Sequence, residues 1–289
     1  MKAIHLTSLK PLKNSQFWLL GIGAGLIAIH LSLTDRANNP SLLGISVLFW
    51  SAVASLVWQK RHRLNLESGV FSSVIGALIV SFVLLKSLSF SGYDFFLRIS
   101  PFISALGLSL LASGTKGLKQ YWQELLSLSF LIVSPGILSS LIEPSIFTAK
   151  FAAFILWYAG FKVSVQGVYI SLPTGGVEVY SGCSGIENMT HLLGLAMLFL
   201  VMFPPTNWLL KIFVALVAIS LAFVVNGIRV AVMTVLAASS NQQAFEYWHF
   251  GEGSLIFSLV SVLIFGLFCL FLLKQEKTDN LNSAGVEKQ

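Results

Sequence analysis

Charge is what this sequence has least of. Only 10% of its 289 residues are Asp, Glu, Lys or Arg, where a soluble domain carries about 25%. With 55% hydrophobic residues and a mean hydropathy of +0.82, most of the chain is solvated by lipid, which excludes an ordinary soluble enzyme. Cysteine is nearly missing as well. Cys183 and Cys269 are the whole complement, so neither a disulfide framework nor a cysteine-rich metal site is available, and no cofactor is expected. Internal repeats and low-complexity tracts are not evident. The first apolar run, 17–33, follows a basic start but lacks a convincing small-residue cleavage site, so it reads as a signal anchor. The net charge of +6 would suggest nucleic acid in a soluble protein. Here lysines and arginines anchoring a membrane protein explain it better, and no nucleic-acid partner is expected.

What is present is a series of apolar runs close to the ~20 residues that cross a bilayer. They lie at 17–33, 41–58, 70–90, 97–113, 124–142, 184–203, 208–238 and 253–273. The expected fold class is all-α and polytopic, with about eight transmembrane helices. Five would form an N-terminal region, 1–144; a second region, 145–273, would carry the chemistry, and 274–289 would be a disordered cytoplasmic tail. Basic residues gather in alternate connectors, at His5 to Lys13, Gln59 to Arg63, Thr115 to Lys119, Lys211 and from Lys274 onward. The positive-inside rule then puts both termini in the cytoplasm of a plasma-membrane protein. Residues 145–161 test that scheme, being apolar but short and holding Lys150. An amphipathic helix lying along the outer interface keeps the charge bias, whereas a further span would reverse it. The stretch that follows is then extracytoplasmic. In it Val163, Val165, Val168, Ile170, Val177 and Val179 alternate around Pro173-Thr174-Gly175-Gly176, which predicts a small hairpin.

That hairpin delivers Val-Glu-Val-Tyr-Ser-Gly-Cys-Ser-Gly-Ile-Glu-Asn, residues 177–188. It sets Cys183 at or just before a helix N-terminus, where free N–H groups and the helix dipole favour a thiolate. An unpaired cysteine is usually a small buried hydrophobe, and Cys269 in Leu-Phe-Cys-Leu-Phe fits that description. Cys183, among Ser and Gly, reads instead as a nucleophile. Ser184 lies one step on and is expected to cap the helix. The run 208–238 is too long for one crossing. At 1.5 Å per residue it reaches roughly 30 Å near Ile228 or Arg229, and Asn226-Gly227 is a plausible break there. Arg229 would arrive at the outer face to hold a thiolate or stabilise an oxyanion; its bland reading is a snorkelling anchor. His249, beside Trp248 before the last span, suits an acid/base near neutral pH, although an aromatic-belt histidine is a fair alternative. His30 and His191 lie within apolar runs and read as packing or interhelical hydrogen bonds. Glu178, Glu187 and Glu252 lie near enough in sequence to orient His249 or simply to be solvated.

Ser-Gly-Cys-Ser-Gly-Ile at 181–186, Asn-Gly-Ile-Arg-Val at 226–230 and a histidine in a short loop before the last span resemble the exosortase/archaeosortase family, most of all its cyanobacterial branch. The resemblance is sharp from about 147 to 266. It implies a polytopic cysteine transpeptidase or protease that acts through a thioester on exported proteins with a PEP-CTERM-type tail: a short motif, a transmembrane helix and a basic end. It also implies Cys183 as nucleophile, Arg229 as assisting cation and His249 as acid/base. Glu187-Asn188 stand where a basic residue is common in the family, which bears on substrate preference. Two rivals stay open. One is a transporter or polysaccharide-export component, which would carry polar residues nearer the midplane. The other is a rhomboid-type serine protease, since Gly182-Cys183-Ser184-Gly185 also reads as Gly-x-Ser-Gly.

Overall fold

The computed structural model describes residues 15–89, 92, 95–205, 207–239, 241–249 and 253–286; His5 to Lys13, Phe250, Gly251 and Glu252 lie outside them. The chain runs through α1 (Ser15–Arg36), α2 (Pro40–Lys60), α3 (Val70–Leu88), α4 (Phe95–Gly117), α5 (Trp122–Ser129), α6 (Pro135–Leu141) and α7 (Ser145–Tyr158). Strands β1 (Ser164–Gln166), β2 (Tyr169–Leu172) and β3 (Gly175–Glu178) follow, then α8 (Ile186–Met202), α9 (Trp208–Ala238), α10 (Gln242–His249) and α11 (Gly253–Val286). This is an all-α polytopic membrane protein with one small sheet. Residues up to Val133 form one compact unit and those from Ser134 a second, a division earlier than the expected boundary at 144.

Six helices among the described residues are long and apolar enough to cross a membrane, or seven if the bent pair α6–α7 counts as one. The expected eight is not reached, for two reasons. The run 124–142 is not one helix: Val133 and Ser134 are extended, because a residue before proline, here Pro135, is driven out of the α region. Residues 95–132 instead form one helical path, kinked where Gly114 takes φ +64°. Further on, α8 has 17 residues, about 26 Å of rise, slightly short of a full span.

In the first unit a proline decides how three helices meet. Pro101 sits inside α4 and has no N–H, so the Leu97 carbonyl one turn back is left without its helical donor. His30 of α1 supplies one from Nε2 at 3.0 Å, while its Nδ1 accepts the Trp50 indole N–H of α2 at 3.1 Å. The expectation of an interhelical hydrogen bond for His30 is met. Glu124, 3% exposed, takes its charge partner from Lys60 at 2.7 Å. Helices α3 and α4 approach where Gly76 faces Gly107.

In the second unit α7 corrects an expectation. Its inner face is Ser145, Thr148, Ala149, Ala152, Ala153 and Leu156, and its outer face carries exposed Ile146, Phe147, Phe154 and Trp157. Only Lys150 is charged, so the helix is apolar all round and has no polar face of the kind an interfacial amphipathic helix needs. The sheet is a three-stranded antiparallel meander, β1-β2-β3, where a single hairpin was expected. Gly167 at φ +61° makes the extra turn, and Gly175-Gly176, expected in the second turn, belong to β3. Helix α9 is continuous over 31 residues, so Asn226-Gly227 is not a break. In an apolar solvent a broken helix would expose backbone groups with nothing to bond. Gly227 instead admits Phe151 of α7, whose ring lies 2.3 Å from where a Cβ would be. The chain after 273, expected to be disordered, continues α11 to Val286, since extending a nucleated helix is far easier than starting one.

The glycine contact in the first unit gives a direct stability test. A Cβ on Gly76 would stand 2.7 Å from the Gly107 carbonyl oxygen, whereas one on Gly25 would meet nothing within 4 Å. Gly76→Ala should lower the thermal midpoint in detergent by several degrees, equivalent to about 1–3 kcal/mol of overpacking. Gly25→Ala should hold or raise it, as alanine is the better helix former. Equal responses would mean that α3 and α4 do not touch there.

Candidate active site

Cys183 closes a single 3-10 turn, Ser181–Cys183, between β3 and α8. Gly185 ends that turn at φ +89°, a conformation that suits glycine, and a Cβ there would lie 2.6 Å from Asn226 Nδ2. The same Asn226 amide donates to the Cys183 carbonyl at 2.9 Å, and Thr148 Oγ1 of α7 donates to the Ser184 carbonyl at 2.8 Å. The cysteine-bearing turn is thus tied by its carbonyls to two helices. Ser184 is fully buried; its hydroxyl donates to the Ser181 carbonyl at 2.6 Å and meets the Ile186 N–H at 3.4 Å. The cap position expected for Ser184 is taken by Gly185, and the serine braces the turn instead.

The turn opens on a cavity of about 360 Å³. Glu178, Tyr180 and Cys183 line one side, Arg229, Val230 and Met233 of α9 another, and Phe245 and His249 of α10 a third. The three residues singled out from sequence therefore meet in one place. Cys183 Sγ lies 3.1 Å from His249 Nε2, within the reach a thiol and its base require. The His249 ring stacks on Phe245 one turn earlier, with centroids 5.1 Å apart, and meets Tyr180 edge-on at 6.1 Å. Arg229 Nη2 donates to the His249 carbonyl at 3.0 Å, so the guanidinium also anchors the end of α10. Its Nε is buried without a hydrogen-bond partner among the described residues.

Other sequence candidates fall elsewhere. Cys269 packs with Leu192, Val214 and Phe265 in an apolar cluster, as expected. Glu187 is exposed at the start of α8. Among the described residues no group of three or more His, Cys, Asp or Glu is placed to hold a metal. Two participants were missed. Tyr180, whose hydroxyl is 3.4 Å from His249 Nε2, carries no signal in its spacing. Asn226 does carry one: an amide in the middle of an apolar helix is costly without a buried partner, and that partner is the Cys183 carbonyl.

The electrostatics oppose a resting thiolate. Burial pushes the Cys183 thiol above its usual 9.0, against a hydrogen bond from Tyr180 and the Arg229 charge, which pull the other way. Burial, then Arg229, holds His249 below 6.5. Both directions favour a thiol beside a neutral imidazole at neutral pH over the thiolate expected from sequence. Tyr180 is pushed up to about 12, first by burial and then by Cys183, and keeps its proton. This set suits general-base-assisted attack, the proton leaving sulfur as the new bond forms.

A family model described as transmembrane exosortase matches residues 38–266. The chain belongs to the transmembrane exosortase family. Exosortases are membrane cysteine-type transpeptidases that process exported proteins with C-terminal sorting signals. The match takes in the Cys183 turn, Asn226 to Arg229 and His249. No curated protein and no solved structure matches this exosortase.

The neutral pair has a measurable signature. The rate of Cys183 alkylation by iodoacetamide follows the thiolate fraction, so it should be slow at pH 7 and rise through a midpoint above 9.0. Arg229→Gln removes a charge that favours the thiolate and should move the midpoint higher still. A fast plateau extending down to pH 5 would instead reveal a preformed thiolate–imidazolium pair.

Proposed function

We propose that this exosortase cleaves the C-terminal sorting tail of exported proteins through a thioester on Cys183. The observation that carries the reading is the 3.1 Å contact between Cys183 Sγ and His249 Nε2 inside a cavity shared with Arg229. His249 takes the thiol proton as sulfur attacks the scissile carbonyl. The oxyanion that forms is stabilised by Arg229, whose buried Nε is a donor without another acceptor among the described residues. The protonated His249 then gives its proton to the departing amine, the C–N bond breaks, and the thioester remains. An acceptor nucleophile, water or a hydroxyl or amine, loses its proton to His249 and attacks the thioester, which releases the thiol. The substrate is a protein with a short motif, a transmembrane helix and a basic end, docked from the bilayer with its scissile bond outside.

The serine reading loses support because Ser184 is fully buried with its hydroxyl committed to the Ser181 carbonyl. Cys183→Ala should abolish processing and Cys183→Ser should leave little of it, since a hydroxyl is far less acidic than a thiol and His249 is held below the usual histidine basicity by burial and Arg229. Ser184→Ala should retain a measurable fraction, the loss being about 1 kcal/mol of local stability. The readout is the ratio of processed to unprocessed substrate at matched expression. Full activity in Cys183→Ala with none in Ser184→Ala would sink the cysteine mechanism.

The site is proposed to face the extracytoplasmic side of the plasma membrane, with both termini cytoplasmic. Cysteines engineered at the exposed positions Gln166 and Gln243 should react with a membrane-impermeant maleimide in intact cells. A cysteine at exposed Asn65 should react only after lysis. The reverse pattern would invert the topology.

A further inference from the structure

We infer that the free edge of β3 is the substrate's docking rail: the extended segment around the scissile bond adds to the sheet as a fourth strand. This rests on the proposed tail-processing reaction. β3 is an outer strand, paired with β2 alone among the described residues. The register sets Ile170 opposite Val177 and Tyr169 opposite Glu178, and one place further on the Val179 N–H donates to the Val168 carbonyl at 2.9 Å. In an antiparallel pair, opposed residues alternate between exchanging both hydrogen bonds and exchanging none. Val179, Val177 and Gly175 therefore turn their backbone groups to β2, while Gly176 and Glu178 turn theirs away.

That outward edge borders the cavity. Gly176, Glu178 and Tyr180 line it along with Cys183, and β3 runs directly into the turn that carries the sulfur. An exposed strand edge is a ready template for another chain, and here the template ends at a thiol with its base. Recognition by strand addition draws affinity from main-chain hydrogen bonds and specificity from alternate side chains. It also holds a peptide extended, which leaves the scissile carbonyl open to attack.

Proline at 178 tests the rail, because it removes an N–H that the β2–β3 ladder does not use and adds a ring on the outward edge. Glu178→Ala removes only the side chain. Glu178→Ala is therefore the reference, because it lacks the same side chain but keeps the N–H, and relative to it Glu178→Pro should lose roughly tenfold or more in kcat/KM, about 1.4 kcal/mol, mainly through KM. Iodoacetamide alkylation of Cys183 should be unchanged in both, which separates loss of docking from loss of the nucleophile. The same KM in Glu178→Pro as in Glu178→Ala would overturn the proposal, while failure of wild type to process any tail would count against the proposed reaction instead. Should the proline variant not insert, a synthetic peptide spanning the cleavage junction, N-methylated one amide at a time, is tested as a competitor of wild-type processing. Potency should fall at every second amide. An even response along the peptide would overturn strand addition.

Discussion

Every backbone N–H and C=O that leaves water must find its partner inside the protein, because lipid offers none. That constraint runs through both units of this chain. Where Pro101 deprives the Leu97 carbonyl of its helical donor, a histidine from another helix bonds it at 3.0 Å. Where the cysteine turn leaves the Cys183 and Ser184 carbonyls outside any helix, Asn226 and Thr148 reach in to satisfy them. And where Asn-Gly invites a break, α9 stays helical. Three buried polar side chains, His30, Asn226 and Thr148, are thus explained by backbone carbonyls that lack a helical donor.

The site draws its rigidity from the same requirement. An amide from α9 and a hydroxyl from α7 hold the two successive carbonyls that follow the sulfur-bearing carbon, and Gly185 must be glycine both for its positive φ and for the nearness of Asn226. Arg229, three residues after Asn226 and so on the same side of α9, then ties down the carbonyl of His249. One turn of one helix positions Cys183 and His249 together. In the proposed reaction such preorganisation matters more than a low thiol pKa, since burial disfavours the charged forms of both sulfur and imidazole and the proton moves during attack.

What could be read in the sequence follows from two strong signals. Scarce charge and long apolar runs determine an all-α membrane protein, because only regular helices satisfy a backbone in lipid without closing a barrel. A cysteine among small residues between alternating valines and an apolar helix, an arginine deep in an apolar run, and a histidine in a short connector each stand out against the chemistry expected of their surroundings. The number of spans was less legible. Pro135 divides a run that hydropathy joins, and α7 shows an all-apolar pattern that fits a crossing, a broken span or a buried helix equally well.

Only the tertiary structure decided how these pieces meet. Asn226 reads locally as a helix breaker, yet it is a hydrogen-bond donor to a residue far away in sequence. Ser184 reads as a cap but lies buried beneath the turn. Tyr180 carries no pattern at all, yet its hydroxyl lies beside the histidine at 3.4 Å. Local sequence reports propensity and periodicity, which follow from nearest neighbours along the chain. Proton affinity and hydrogen-bond partnership depend on neighbours in space, and those exist only once α7, α8, α9 and the sheet have closed around the cysteine turn.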